Sequence, residues 1–84
     1  MSDAMKDEIF AKVREAAVEV LDCDPEEVTL DAKLSETLDA DSIDVIEIAS
    51  SMEREYGVAI EDHEVYDLTD VNGLVELVAR KRGD

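Results

Sequence analysis

Ser42 stands between Asp41 and Asp44 in the run LDADSIDVIEIAS, residues 38–50, and an apolar helical pattern begins directly after it. A calcium loop starting at Asp39 would need glycine at its sixth position and glutamate at its twelfth. Asp44 and Ser50 occupy those places. A hydrolytic serine would need a G-x-S-x-G elbow and a base. The elbow is missing, and the sole histidine, His63, lies far along the chain in an acidic segment, where it reads as a surface residue. An acid-rich helix also opposes the oxyanion of acyl transfer. No cysteine and histidine spacing fits a metal. Two readings of Ser42 remain. In the first it belongs to a helix start, with Asp41 accepting from first-turn amides and Asp44 completing a box-like pattern. In the second it is modified: a phosphodiester on a first-turn serine would meet the helix dipole and outward-pointing N–H groups. Asp41 and Asp44 would partly oppose that anion, which points to the acids serving a visiting protein.

The elements that must hold Ser42 come from one small chain. Eighty-four residues make one domain, residues 1–84, and limit the size of its core. Apolar residues make up 45%, enough for a compact fold, and with only Phe10, Tyr56 and Tyr66 aromatic the core must be aliphatic. No apolar run reaches membrane-spanning length and no signal-peptide pattern opens the chain, so no membrane insertion is expected. The single Cys23 permits no internal disulfide and fits a reducing cytoplasm; it reads as an ordinary semi-buried or surface thiol. The formal charge is −16, and residues 35–70 carry twelve acids against one base, Arg54. That balance argues against nucleic-acid or anionic-membrane binding. It serves solubility, or it steers the chain toward basic partners.

Apolar spacing predicts a first helix over about residues 4–21, capped by Ser2 or Asp3. Asp24-Pro25-Glu26-Glu27 reads as a cap and a single turn. Residues 24–40 then form a long loop pinned by Val28, Leu30 and Leu34. A second helix starts at Asp41 or Ser42 and stops near Gly57. A short, acid-rich helical segment lies between Ile60 and Leu68. Thr69 or Asp70 caps a last helix that runs through Val78 and ends in Arg80, Lys81 and Arg82, with Gly83 just past its end. The expected fold is an all-α four-helix bundle with three longer helices, a short third helix and a long first loop.

On a wheel of about 100° per residue, Val45, Ile48, Ala49, Met52 and Tyr56 form the core stripe of the second helix. Ile43 and Ile46 fall among Glu47, Ser50, Glu53 and Arg54. Either they pack on the short segment near residues 60–68, or they form an apolar spot rimmed with acids for a docking protein.

Asp39-Ala40-Asp41-Ser42-Ile43 resembles the G-A-D-S-L attachment motif of acyl carrier proteins. The resemblance continues through Val45-Ile46-Glu47-Ile48, Met52 to Ile60, Glu61 to Val71, and Glu26-Glu27-Val28-Thr29, so that it covers essentially the whole chain. It implies a carrier rather than an enzyme, with Ser42 esterified by 4′-phosphopantetheine through a holo-synthase. Asp41 matches the family acid associated with that modifying enzyme. Ile43, Asp44, Ile46, Glu47 and Glu53 match positions that meet basic patches on acyl-processing partners, and Ile60, Val65 and Leu68 match the acyl pocket. A cytoplasmic monomer serving fatty-acid synthesis follows from the resemblance. A dedicated carrier for a polyketide or other specialised pathway and a D-alanyl carrier are its rivals, with an unmodified acidic interaction module outside the class. The departures are Asp39 for the motif glycine, Ile43 for its leucine, and Ser50 and Arg54 on the docking face.

Overall fold

The computed structural model describes residues 3–83. Helix α1 spans Asp3–Leu21, a single 3₁₀ turn spans Pro25–Glu27, and helices α2, α3 and α4 span Ser42–Tyr56, Asp62–Tyr66 and Val71–Gly83. Of the two caps expected for α1, Ser2 lies outside the described residues, and Asp3 is already helical. Helix α1 packs on both α4 and α2, while α3 leans chiefly on α2. This is the expected all-helical bundle with a long first connection.

The core is aliphatic. Helix α1 contributes Ile9, Val13, Ala16 and Ala17, and α2 contributes Val45, Ile48, Ala49 and Met52. Helix α4 buries Val71, Leu74, Val75, Leu77, Val78 and Ala79, more than one stripe, because it is the most enclosed of the helices. Among the described residues no polar or charged residue is buried. Tyr56 is half-buried at the edge of the core, with its hydroxyl enclosed and unpartnered and the Arg82 guanidinium 4.8 Å over its ring. Gly57 closes α2 in the left-handed region at φ 66°, and its N–H donates to the Glu53 carbonyl at 2.8 Å.

The first loop departs from the expected path at one residue. Val28 and Leu34 are buried, joined by Ala32, Leu38 and Ala40, but Leu30 is 45% exposed. Leu30 pins the loop through its backbone instead. Its carbonyl accepts from the Asn72 N–H at 2.9 Å, and the Ala32 carbonyl accepts from the Val71 N–H at 3.0 Å. The Asp70 carboxylate takes the Gly73 N–H at 2.8 Å. All three leading amides of α4, which have no acceptors inside the helix, are thereby satisfied. Asp70, not Thr69, is the cap. The Leu34 N–H donates to the Thr69 carbonyl at 3.0 Å and completes an antiparallel bridge at Lys33 and Asp70. On the α1 side, the Arg14 guanidinium sits 4.5 Å over the Phe10 ring and donates twice to the Val28 carbonyl at 3.2 Å.

The end of α4 also differs from expectation. Gly83 is its last helical residue and does not lie beyond it. The nearby bases form cross-chain ion pairs: Arg82 with Glu8 at 2.6 Å and Lys81 with Glu64 at 2.9 Å.

The Lys81–Glu64 pair ties α4 to α3. Its hydrogen bond, aided by the Glu61 N–H, holds the Glu64 carboxyl below its ordinary value of 4.5. A carboxyl depressed in the folded state adds stability above its unfolded pKa and loses it as pH falls through the folded value. Lys81→Met is expected to lower the melting temperature at pH 7, with the gap to the native chain closing below pH 4.5. Melting curves of both proteins between pH 3 and 7 measure that gap. A constant gap would show that the pair contributes nothing through its charge.

Candidate functional site

The loop delivers Ser42 to the bundle through two short-range devices. The Ala40 N–H donates to the Leu34 carbonyl at 2.8 Å, and Leu38 and Ala40 are buried on either side of Asp39. Asp39 itself turns the chain at φ 55°, in the left-handed region. Glycine enters that region freely, and aspartate is among the few other residues that tolerate it. The same conformation at Asp22, φ 53°, ends α1.

Asp41 then caps α2. Its carboxylate accepts the Asp44 N–H at 2.9 Å, and the Asp44 carboxylate accepts the Asp41 N–H at 3.2 Å, a reciprocal box. Ser42 is the first helical residue and is exposed. Its own N–H and that of Ile43 are first-turn donors that the helix leaves without internal acceptors. The capping reading and the modification reading are therefore compatible: the aspartates do the capping, and the serine hydroxyl is left available.

A cavity of about 500 Å³ opens beside Ser42. Leu34, Ala40, Val45, Val65 and Leu68 give it apolar walls, and Lys33, Ser35, Glu36, Asp41, Ser42, Tyr66 and Thr69 complete the lining. Val65 and Leu68, two of the three residues matched to the acyl pocket, line this cavity. Ile60 is buried but lies outside this lining. Lys33 and Tyr66 escaped the sequence reading. The one sequence signal for Lys33 is that it is the lone base between Arg14 and Arg54.

The five expected docking residues separate into groups. Ile43 is 67% exposed beside Ser42, and Glu47 is exposed. Ile46 is half-buried and packs against the core, so only one of the two isoleucines off the core stripe is free. Asp44 serves the capping box. Glu53 is half-buried, and its carboxylate accepts the Ile60 N–H at 3.0 Å, holding the chain as it leaves Gly57. Ser50, Arg54 and Glu47 line a shallow groove with Glu19 and Val20, and Arg54 donates to the Ser51 hydroxyl at 3.2 Å.

The chain's own thiol is poorly suited to carrying anything. Cys23 is half-buried, and burial, followed by Glu27, Asp24 and Asp22, pushes its pKa up. It is held as the unreactive thiol. Among the described residues no cluster could hold a metal ion, and no helix is long and apolar enough to cross a membrane.

Comparison with known proteins places this geometry. The family model for the phosphopantetheine attachment site matches residues 11–78. This chain belongs to the acyl carrier protein family. It is 43% identical over 76 residues to the acyl carrier protein of Petrotoga mobilis, covering 90% of this chain and 89% of that one. It is 42% identical over 73 residues to the polyketide-8 synthase acyl carrier protein 2 of Streptomyces avermitilis, covering 87% and 84%. The crystal structure of an acyl carrier protein from Thermotoga maritima superposes with a TM-score of 0.82 at 32% identity, over 96% of this chain and 94% of that one. Acyl carrier proteins are carriers, not catalysts. This carrier bears a covalent 4′-phosphopantetheine group and works with synthase and acyl-processing enzymes.

The left-handed backbone at Asp39 yields a test. Asp39→Ala, Asp39→Gly and Asp39→Asn all remove the same charge, so differences among them report the backbone. Alanine is expected to cost about 1 kcal/mol relative to glycine or asparagine. Urea unfolding measures this, and equal stability of the three variants would contradict it.

Proposed function

We propose that this carrier holds its 4′-phosphopantetheine on Ser42 and delivers acyl thioesters to the enzymes of fatty-acid synthesis. The observation that carries the reading is an exposed hydroxyl on the first residue of α2, opening onto a largely apolar cavity of about 500 Å³. Such a site fits the group on both counts. The hydroxyl is accessible to a modifying enzyme, and an aliphatic chain has a sheltered space within reach of its tether. The arm supplies the thiol that forms the thioester. In this reading Asp41 meets the holo-synthase, while Ile43, Glu47 and the carboxylate rim of α2 meet basic patches on partner enzymes. The acid excess steers those encounters, an effect of roughly 10- to 10³-fold on association rates that salt weakens. In this reading the carrier works as a monomer, and its single unpaired thiol fits a reducing cytoplasm.

A second reading is a carrier dedicated to a polyketide or other specialised pathway. The Streptomyces relative, nearly as similar as the Petrotoga one, favours it. So do Ser50 and Arg54 in the groove beside Glu47. Offering the loaded carrier to ketosynthases of both pathways separates the two readings.

Incubation with coenzyme A and a holo-synthase is expected to add one phosphopantetheine to the native chain and none to Ser42→Ala, read by intact mass. A native chain that gains no mass would refute the proposal. Ile43→Ala is expected to leave stability within about 0.5 kcal/mol of native, as for an exposed side chain. The same variant is expected to raise the KM of the holo-synthase severalfold. An unchanged KM would remove Ile43 from the docking surface.

A further inference from the structure

We propose that Lys33 is the counter-charge for the phosphodiester that joins the arm to Ser42, an inference that rests on the attachment proposed above. Lys33, midway along the first loop, and Ser42, at the start of α2, line the same cavity, and Lys33 is the sole cation in that lining. The other three lysines all hold carboxylates: Lys6 with Glu76 at 3.9 Å, Lys12 with Glu55 at 3.9 Å, and Lys81 with Glu64 at 2.9 Å. Lys33 has no ion pair among the described residues, although the chain has 24 acids and Glu36 lines the same cavity.

Its backbone, by contrast, is fixed at every point. The Lys33 N–H donates to the Thr37 hydroxyl at 3.1 Å. Its carbonyl accepts from Thr37 and Leu38 at 2.9 and 3.1 Å, and the bridge to Asp70 holds it from the other side. A rigid backbone thus carries an ammonium with no ion pair in the same cavity lining as the Ser42 hydroxyl. The electrostatics ask for such a group. A phosphodiester on Ser42 adds a further negative charge to a chain at −16, within a turn of Asp41 and Asp44. The helix dipole and the Ser42 and Ile43 N–H groups offset part of that charge. A lysine ammonium, a point charge with three donors, offsets more without demanding a fixed orientation.

The test follows the four lysines by their side-chain ammonium resonances in apo and holo protein, with intact mass confirming the arm on Ser42. The expected result is a shift of the Lys33 signal alone on conversion to the holo form. That shift should shrink as salt is raised from low concentration to about 0.5 M, where screening is strong. In the holo protein, Lys33→Gln is expected to move the arm's phosphorus resonance, and Lys33→Arg to restore it toward the native position. A Lys33 signal identical in apo and holo protein, with the arm on Ser42, would overturn the assignment and leave the functional reading standing. A response seen only after loading with a malonyl group would also overturn it, by moving the pairing anion to the cargo. Absence of any mass gain on Ser42 would instead sink the attachment and this inference with it.

Discussion

The backbone pairing between the first loop and the start of α4 is the constraint on which the rest of the carrier depends. A loop as long as residues 28–41 has no helix or sheet of its own to fix it, and its closure costs conformational entropy. Here the amides of Val71 and Asn72 reach back to Ala32 and Leu30, and Leu34 reaches forward to Thr69. The donors that α4 must satisfy and the carbonyls that the loop must satisfy are the same bonds. Once Leu34 is fixed, its carbonyl fixes Ala40, and Ala40 fixes the approach to Asp41 and Ser42. Serine position, cavity wall and helix start therefore share one anchor.

The acid excess has two physical uses, which the structure separates. Some carboxylates hydrogen-bond backbone amides at element starts: Glu27 to Asp24, Asp41 and Asp44 to each other, Glu64 to Glu61, and Asp70 to Gly73. Negative charge at a helix N-terminus is favourable, so these acids stabilise the fold that their mutual repulsion would weaken. Others, such as Glu47 and Asp62, are exposed without such a bond and form the field a partner would feel. Glu53, like the first set, accepts a backbone N–H, from Ile60, in the segment leading into α3.

What sequence reading captured and what it missed divide along the same line. The existence and order of the helices, the Asp41–Asp44 box and the Gly57 stop depend on neighbours within a turn or two and were legible, whereas the end of α4 at Gly83 was not. Ile43 is exposed as the wheel places it, but Ile46 is half-buried against the core, a difference that only packing decides. Leu30 misled because an apolar side chain was read as an anchor where the backbone carbonyl does the anchoring. Glu53's acceptor role was not legible, because it depends on where the chain goes seven residues later. Asp39 became intelligible only with its φ: the position demands left-handed backbone, and aspartate is a tolerable substitute for glycine there. Lys33 and Tyr66 join the site only through the folded path of the loop and the seating of α3.

The walls of the cavity differ in how firmly they are held, and that difference suits a carrier. On one side stand α2, with its capping box and buried stripe, and the loop residues Leu34 and Ala40, fixed by backbone bonds. On the other stands α3, five residues long, far below the length at which a helix is stable by itself. Its one buried residue is Val65, and its remaining ties are the Glu61–Glu64 contact and the ion pair from Lys81. A wall held by one buried aliphatic side chain and a few exposed or half-buried polar contacts moves at a lower free-energy cost than one built from core residues. Ser42 stands on the firm side, so with the attachment proposed above a change in the volume of the cavity need not move the arm's anchor. The fold thus fixes the hydroxyl and leaves the cavity beside it adjustable, which is what the proposed role requires if the cargo changes size while its anchor does not.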